Sequence, residues 1–550
     1  MKSALFTLIG FIAYWGIPAL AQPQTDPTSY IHYSPEADLY RAPCMDTVKQ
    51  MGIKAYVNVA LVFPAWLPVV DYDHVAVIEG KVVPKPGTVQ KGTTVSAQDA
   101  SINHYTHDFY FNVAPDTTED RRYLNLIGGQ VDTVMEDGVR KMDTFFKPYV
   151  HIEWETGLAA TNKGNLCAEL NKQGKSCGFF TAGHERHDRI WNWPTFDDWV
   201  HVEGLWVWDR GHPPAYTEIH PARLVATRRN LPARIPKIQG EKNGEKVFAT
   251  RIDIFASGDC GAYNNNRKTS PEFVRKVKMS SKDYTFQVKH TLPRPSPLAK
   301  MKMRVETHKG NTHHGQLSLI PMPDGNGEAD DPMVTVFIPW KTFADTLVCA
   351  KTVYVYWDEG DGKALDYKIE SYKVTLESLR FKRINETFSP AEMRIFAGTA
   401  SDYIFINEFT KHDRFLMRGL GQNYTLKRKW YFDYSWEVHV PEDREYRIHA
   451  SGWEEDGVST SLGQLRDPYS PCTKEVREEL QKTIIKVMPL RFQGCVDDQM
   501  GEIHQMHKLG DSGEFEAISD GELSWDICPF NKGLQLESFK MYYRIEPLSD

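Results

Sequence analysis

The dominant pattern along the chain is alternation of apolar and polar residues. It runs through 54–61 (KAYVNVAL), 75–83 (VAVIEGKVV), 149–155 (YVHIEWE), 199–208 (WVHVEGLWVW), 251–256 (RIDIFA) and 367–381, and Gly, Pro, Asn or Asp bound most of these runs. A period of two sends successive side chains to opposite faces of a strand, so the pattern predicts half-buried antiparallel strands and a mainly β fold. Helical spacing is rare. One short helix is expected at 43–51 and a second at 473–487, where charges recur at helical intervals.

Two stretches interrupt the alternation. Residues 231–246 (LPARIPKIQGEKNGEK) are rich in Pro, Gly and Lys, and 384–391 (INETFSPA) separate two strand-like runs. They divide the chain into three expected modules, 28–230, 244–383 and 385–550. Segments 249–264 and 392–407 both carry an Arg-Ile strand ending in Ile-Phe-Ala, then a small-residue turn and an aromatic. This points to two related β-sandwich modules in the second and third positions.

The amino terminus changes the picture. A basic start, Met1-Lys2, precedes an apolar run over 4–20, and Ala19-Leu20-Ala21 has the small-x-small form of a cleavage site. Residues 1–21 therefore read as a secretory signal peptide, with an uncleaved anchor as the alternative. Cleavage near Ala21 gives an exported chain: secreted, periplasmic or held at the cell surface. No later run is long and apolar enough for a spanning helix.

Export makes disulfides possible. The eight Cys stand at 44, 167, 177, 260, 349, 472, 495 and 528. Cys167–Cys177 and Cys260–Cys349 are plausible bridges by proximity, although spacing does not fix connectivity. The 550-residue chain is 41% hydrophobic and 25% charged, which excludes a largely disordered protein. Its net charge of −8 argues against a nucleic-acid partner.

Candidate chemistry concentrates in the first module, where strand alternation puts His/Glu pairs on one face. His151 and Glu153 share a face, as do His201 and Glu203, and Glu218 and His220. Imidazole and carboxylate ligate zinc, and three ligands with an open position suit metal-assisted hydrolysis. If these strands are neighbours, His151, Glu153, His201, Glu218 and His220 would converge, with His212 added from the Gly211-His212-Pro213-Pro214 turn and Glu203 as a general base. The alternative is a solvated polar face, with Pro221 ending the strand.

Five of the 14 Trp fall between 191 and 208. Trp191, Trp193 and Trp199 could stack on a glycan or small ligand, whereas Trp206 and Trp208, in phase with Val200 and Val202, are expected to fill the core. Acidic turns at 358–362 and 453–457 would suit calcium or would be plain turns. His184-Glu185-Arg186-His187 lacks metalloprotease spacing and reads as a surface loop, and His313-His314 reads as solvated. No G-x-S-x-G elbow, P-loop or dinucleotide fingerprint is present.

The run from Tyr149-Val150-His151-Ile152-Glu153 through Trp199-Val200-His201-Val202-Glu203 to Glu218-Ile219-His220-Pro221 resembles an OB-like β-barrel of exported bacterial proteins. That resemblance covers about 149–225 and implies a fold, not an activity. Three functional expectations follow. The first is an exported binding protein for a glycan or small molecule, and the second is a metal-dependent hydrolase. The third is a structural component of the cell surface.

Overall fold

The protein, described by a computed structural model, is mainly β. The chain forms β1 (Trp66–Pro68), β2 (Ala76–Val83), β3 (Ser96–Ala97), β4 (Asp108–Pro115), β5 (Gln130–Glu136), β6 (Val139–Phe145), β7 (Val150–Glu155) and β8 (His187–Ile190). It continues through β9 (Trp199–Asp209), β10 (Tyr216–Arg234), β11 (Lys246–Ser257), β12 (Tyr284–Lys289), β13 (Lys300–Thr307), β14 (Ser318–Met322), β15 (Met333–Ile338) and β16 (Val348–Asp358). The last strands are β17 (Ile369–Phe381), β18 (Glu392–Thr399), β19 (Asp402–Phe409), β20 (Trp430–Pro441), β21 (Tyr446–Glu454), β22 (Asp498–His507), β23 (Gly513–Ile518) and β24 (Phe539–Pro547). The described residues are these strands together with 149, 192, 194, 195, 198, 283, 290–299, 308, 311, 313–317, 332, 339, 340, 445, 508–512, 519 and 548. Both expected helices, and residues 1–21, lie outside them.

The alternating runs at 75–83, 149–155, 199–208 and 367–381 become β2, β7, β9 and β17. Pairing within the largest sheet leads from β9 through β2, β4, β7 and β10 and returns to β9. β7 and β10 run parallel, and the other four pairs are antiparallel. Residues paired across these ladders share a face. One face is therefore apolar, with Ile78, Val82, Phe111, Val113, Ile152, Val200, Val202, Trp206 and Ile219 all buried. The burial of Trp206 agrees with its phase in the sequence.

β10 does not end at Pro221. It runs on to Arg234, with register shifts between Ile219, Ala222 and Leu224. Proline donates no ladder hydrogen bond, and the irregularity accommodates it without terminating the strand. Beyond the irregularity β10 pairs with β11, and β11 with β16, so the sheet continues on both sides of the Pro- and Gly-rich 231–246 stretch.

Two sandwiches follow from this geometry. Leu224, Ala226, Ile252, Ile254, Val353 and Val355 pack against Tyr284, Phe286, Val288, Val334, Val336 and Ile338 of the β12-β15-β14 sheet. The second joins β20-β17-β24-β23 to β22-β21-β18-β19-β8, with Tyr372, Leu376, Trp436 and Tyr543 meeting Ile395, Ile448 and Ile503. Facing apolar sides of two sheets are how such strands leave water together.

Several local expectations change. His187 and Asp188, read as part of a surface loop, lie in β8 and pair with β19, while His184, Glu185 and Arg186 lie outside the described residues. β21 reaches Glu454, so Trp453 and Glu454 belong to the strand and not to an acidic turn. Asp358 ends β16, buried, with its carboxylate 3.7 Å from Lys302 Nζ. Cys349 is a free, buried thiol, so the expected Cys260–Cys349 bridge is not formed. The thiol faces the interior of the first sandwich, where Cys349 packs among apolar side chains, and Cys260 lies outside the described residues.

Candidate metal centre

Three neighbouring strands build the centre. The parallel β7–β10 register sets Glu218 beside His151, and the β4–β7 register sets Asn112 beside His151 and Tyr110 beside Glu153. Alternation then places His151, Glu153, Glu218 and His220 on one face, opposite the apolar positions. All four are buried, with 6, 3, 0 and 0% of their surface exposed. One potential ligand atom from each of His151, Glu153 and Glu218 lies within 4.8 Å of the others.

The hydrogen bonds assign roles. His151 Nδ1 is 2.8 Å from Asn112 Oδ1. With that amide oxygen accepting, Nδ1 carries the proton and the Nε2 lone pair faces Glu153 Oε1 at 3.1 Å. A lone pair held against a carboxylate in a buried site is favourable only when a proton or a cation lies between them. The Tyr110 ring, 5.0 Å from the imidazole centroid, packs beside His151.

His220 acts differently. Its Nδ1 is 2.8 Å from Glu153 Oε2 and 3.4 Å from Glu218 Oε1, so one N–H holds both carboxylates. Burial alone would raise the Glu153 carboxyl. The charge of His220 and its hydrogen bond outweigh it and hold the carboxyl well below the ordinary range. His151, Glu153 and Glu218 thus form a candidate ligand face that Asn112 and His220 hold in place, in the manner of outer-shell partners.

His201 and Glu203 are on the same face but elsewhere. His201 Nδ1 is 2.8 Å from Glu79 Oε1 and its Nε2 is 3.0 Å from Glu203 Oε1. The ring stacks on Phe286 of β12 at 4.9 Å. Burial by itself would lower the His201 pKa, but the carboxylates of Glu203 and Glu79 overcome it and push it up to about 9. This is a buried imidazolium between two acids. Glu203 is engaged there and is not placed as a base beside the His151 cluster. The shared H-x-E pattern hid the difference because it carries no information on which strand lies next door.

Trp199 is half-buried against the first sandwich core, with the Arg228 guanidinium 4.7 Å above its ring. Packing therefore engages this side chain. His212, Trp191 and Trp193 lie outside the described residues.

The sequence reading missed three features. Asn112 and Glu79 reach their histidines only through long-range pairing. His313 is buried rather than solvated, because the Lys351 ammonium sits 3.3 Å from its Nδ1 and donates to the Gly315 carbonyl at 2.5 Å. Burial lowers the Lys351 pKa. A charged chain also lines β10, β11 and β16: Arg251 Nε donates to Asp253 Oδ1 at 2.8 Å, Thr352 donates to the same oxygen at 2.5 Å, and Arg229 pairs with Asp198.

No family model, curated protein or solved structure matches the chain.

Proposed function

We propose that this chain is an exported, metal-dependent hydrolase. In this reading a zinc-class divalent ion is held by His151, Glu153 and Glu218. The observation that carries it is the buried convergence of one imidazole and two carboxylates, each oriented by a hydrogen-bonding neighbour. A divalent cation balances the two carboxylates, which the single charge of His220 does not. One nitrogen donor and few ligands suit zinc better than calcium, which takes six to eight oxygens. Three protein ligands leave a position for water, and the ion lowers that water's pKa to about 7. The β2-β4-β7-β10-β9 circuit is, in the same reading, the OB-like unit that positions the ligands on a rigid face.

The seclusion of all four side chains favours a second reading. There the ion is structural, tying β4, β7 and β10 together in a protein that binds an extracellular glycan or small molecule. Purified protein assayed on ester, phosphate and glycoside substrates separates the two. Turnover that chelation abolishes and zinc restores supports hydrolysis. A chelation-induced fall in melting temperature with no turnover on any substrate supports the structural ion. Absence of bound metal together with absence of any chelation effect would overturn both.

A further inference from the structure

The second sandwich carries another histidine cluster, distant in sequence from the first. His449 of β21 and His504 of β22 are direct partners across the antiparallel ladder, so their side chains leave the same face. That face is opposite the core formed by Ile448, Ala450 and Ile503. Even so, His449 and Glu502 are both buried.

Glu502 fixes the chemistry of His504. Its Oε2 is 2.9 Å from His504 Nε2. A carboxylate accepts, so Nε2 carries the proton and Nδ1 keeps its lone pair. That Nδ1 is shielded from solvent, and among the described residues nothing hydrogen-bonds to it. A buried ring nitrogen with an unsatisfied lone pair, backed by a carboxylate on the other nitrogen, is the carboxylate–histidine arrangement of metal ligands.

The spacing of the rings also fits. Zinc binds imidazole nitrogen at about 2.0–2.1 Å, which puts two ring centroids on one tetrahedral ion about 5 Å apart. The two centroids here are 5.9 Å apart, with planes inclined by 37°. The observed separation exceeds this by about 1 Å.

We propose that His449 and His504 bind a divalent metal ion of the zinc or copper class on the C-terminal sandwich, with Glu502 as the residue that positions His504. Solvent or a further group completes the shell. This site is independent of the His151 centre.

The full chain, dialysed against zinc and then against buffer, tests it by metal analysis. About two zinc ions per chain are expected, falling to about one in His449→Gln and to about one in Glu218→Gln, with about none in the double variant. Retention of the full zinc content in a folded His449→Gln chain overturns the proposal, whatever Glu218→Gln shows. Should His449→Gln fail to fold, hydrogen exchange in the Glu218→Gln chain decides. Slowed exchange of β21 and β22 amides on adding zinc supports the site, and unchanged exchange there refutes it.

Discussion

Asn112 shows how much one buried amide can decide. Its Oδ1 fixes the tautomer of His151 and so turns Nε2 toward Glu153. Asn112→Ala should weaken zinc binding about 10–100-fold while leaving the fold intact, as loss of outer-shell partners does. Isothermal titration reads the change. Gly80 acts by exclusion, since a Cβ there would lie 2.0 Å from the Ala114 carbonyl oxygen of the paired strand. Gly80→Ala should cost about 1–3 kcal/mol in chemical denaturation, because backbone and not a flexible side chain must yield.

His201 supplies a pH signature at the same scale. Its folded pKa of about 9 lies above the ordinary value of 6.5. The stabilisation it gives is complete below about pH 6.5 and is lost as pH rises through 9. Between those limits stability should fall by up to about 1.4 kcal/mol per pH unit from this group. Denaturation midpoints measured across that window should show the fall in the unmodified chain and a shallower one in His201→Gln.

At the level of elements, β16 is the most enclosed strand among the described residues. It lies between β11 and β13, and every one of its side chains is buried. Its amides should exchange only through the largest opening of the protein, later than those of β13, a sheet edge with alternating partial exposure. Mass-resolved hydrogen exchange checks the order. Cys349, on β16, should stay unreactive toward thiol reagents until that opening, since burial pushes its pKa up to about 12.

What could be read from the sequence follows from which interactions are local. Alternation is local, so β2, β7, β9 and β17 and the face shared by His151 and Glu153 were legible. Strand neighbours are not local. The same H-x-E pattern therefore appears in His151–Glu153, which meets Glu218 and His220, and in His201–Glu203, which meets Glu79 and Phe286. Pro221 looked like a terminator because a proline lacks a donor, yet the shifted β9–β10 register absorbs it. Glu502-Ile503-His504 repeats the E-I-H run of 218–220, but the meeting of His504 with His449 left no short-range signal, being made only by the β21–β22 ladder.

Across the described residues, two sandwiches hold the largest apolar cores, and the proposed metal ligands stand on strands that lead into the first of them. Glu218 and His220 lie in β10, and the same strand carries Leu224 and Ala226 into the sandwich core. Ion binding at one end of β10 should therefore raise the melting temperature of the first sandwich. One divalent ion is expected among His151, Glu153 and Glu218. Anomalous diffraction at the zinc edge, from crystals grown with zinc, tests it most directly. A peak is expected about 2 Å from His151 Nε2 and from one oxygen of each glutamate. Zinc-loaded crystals with no anomalous density between these three side chains would contradict it.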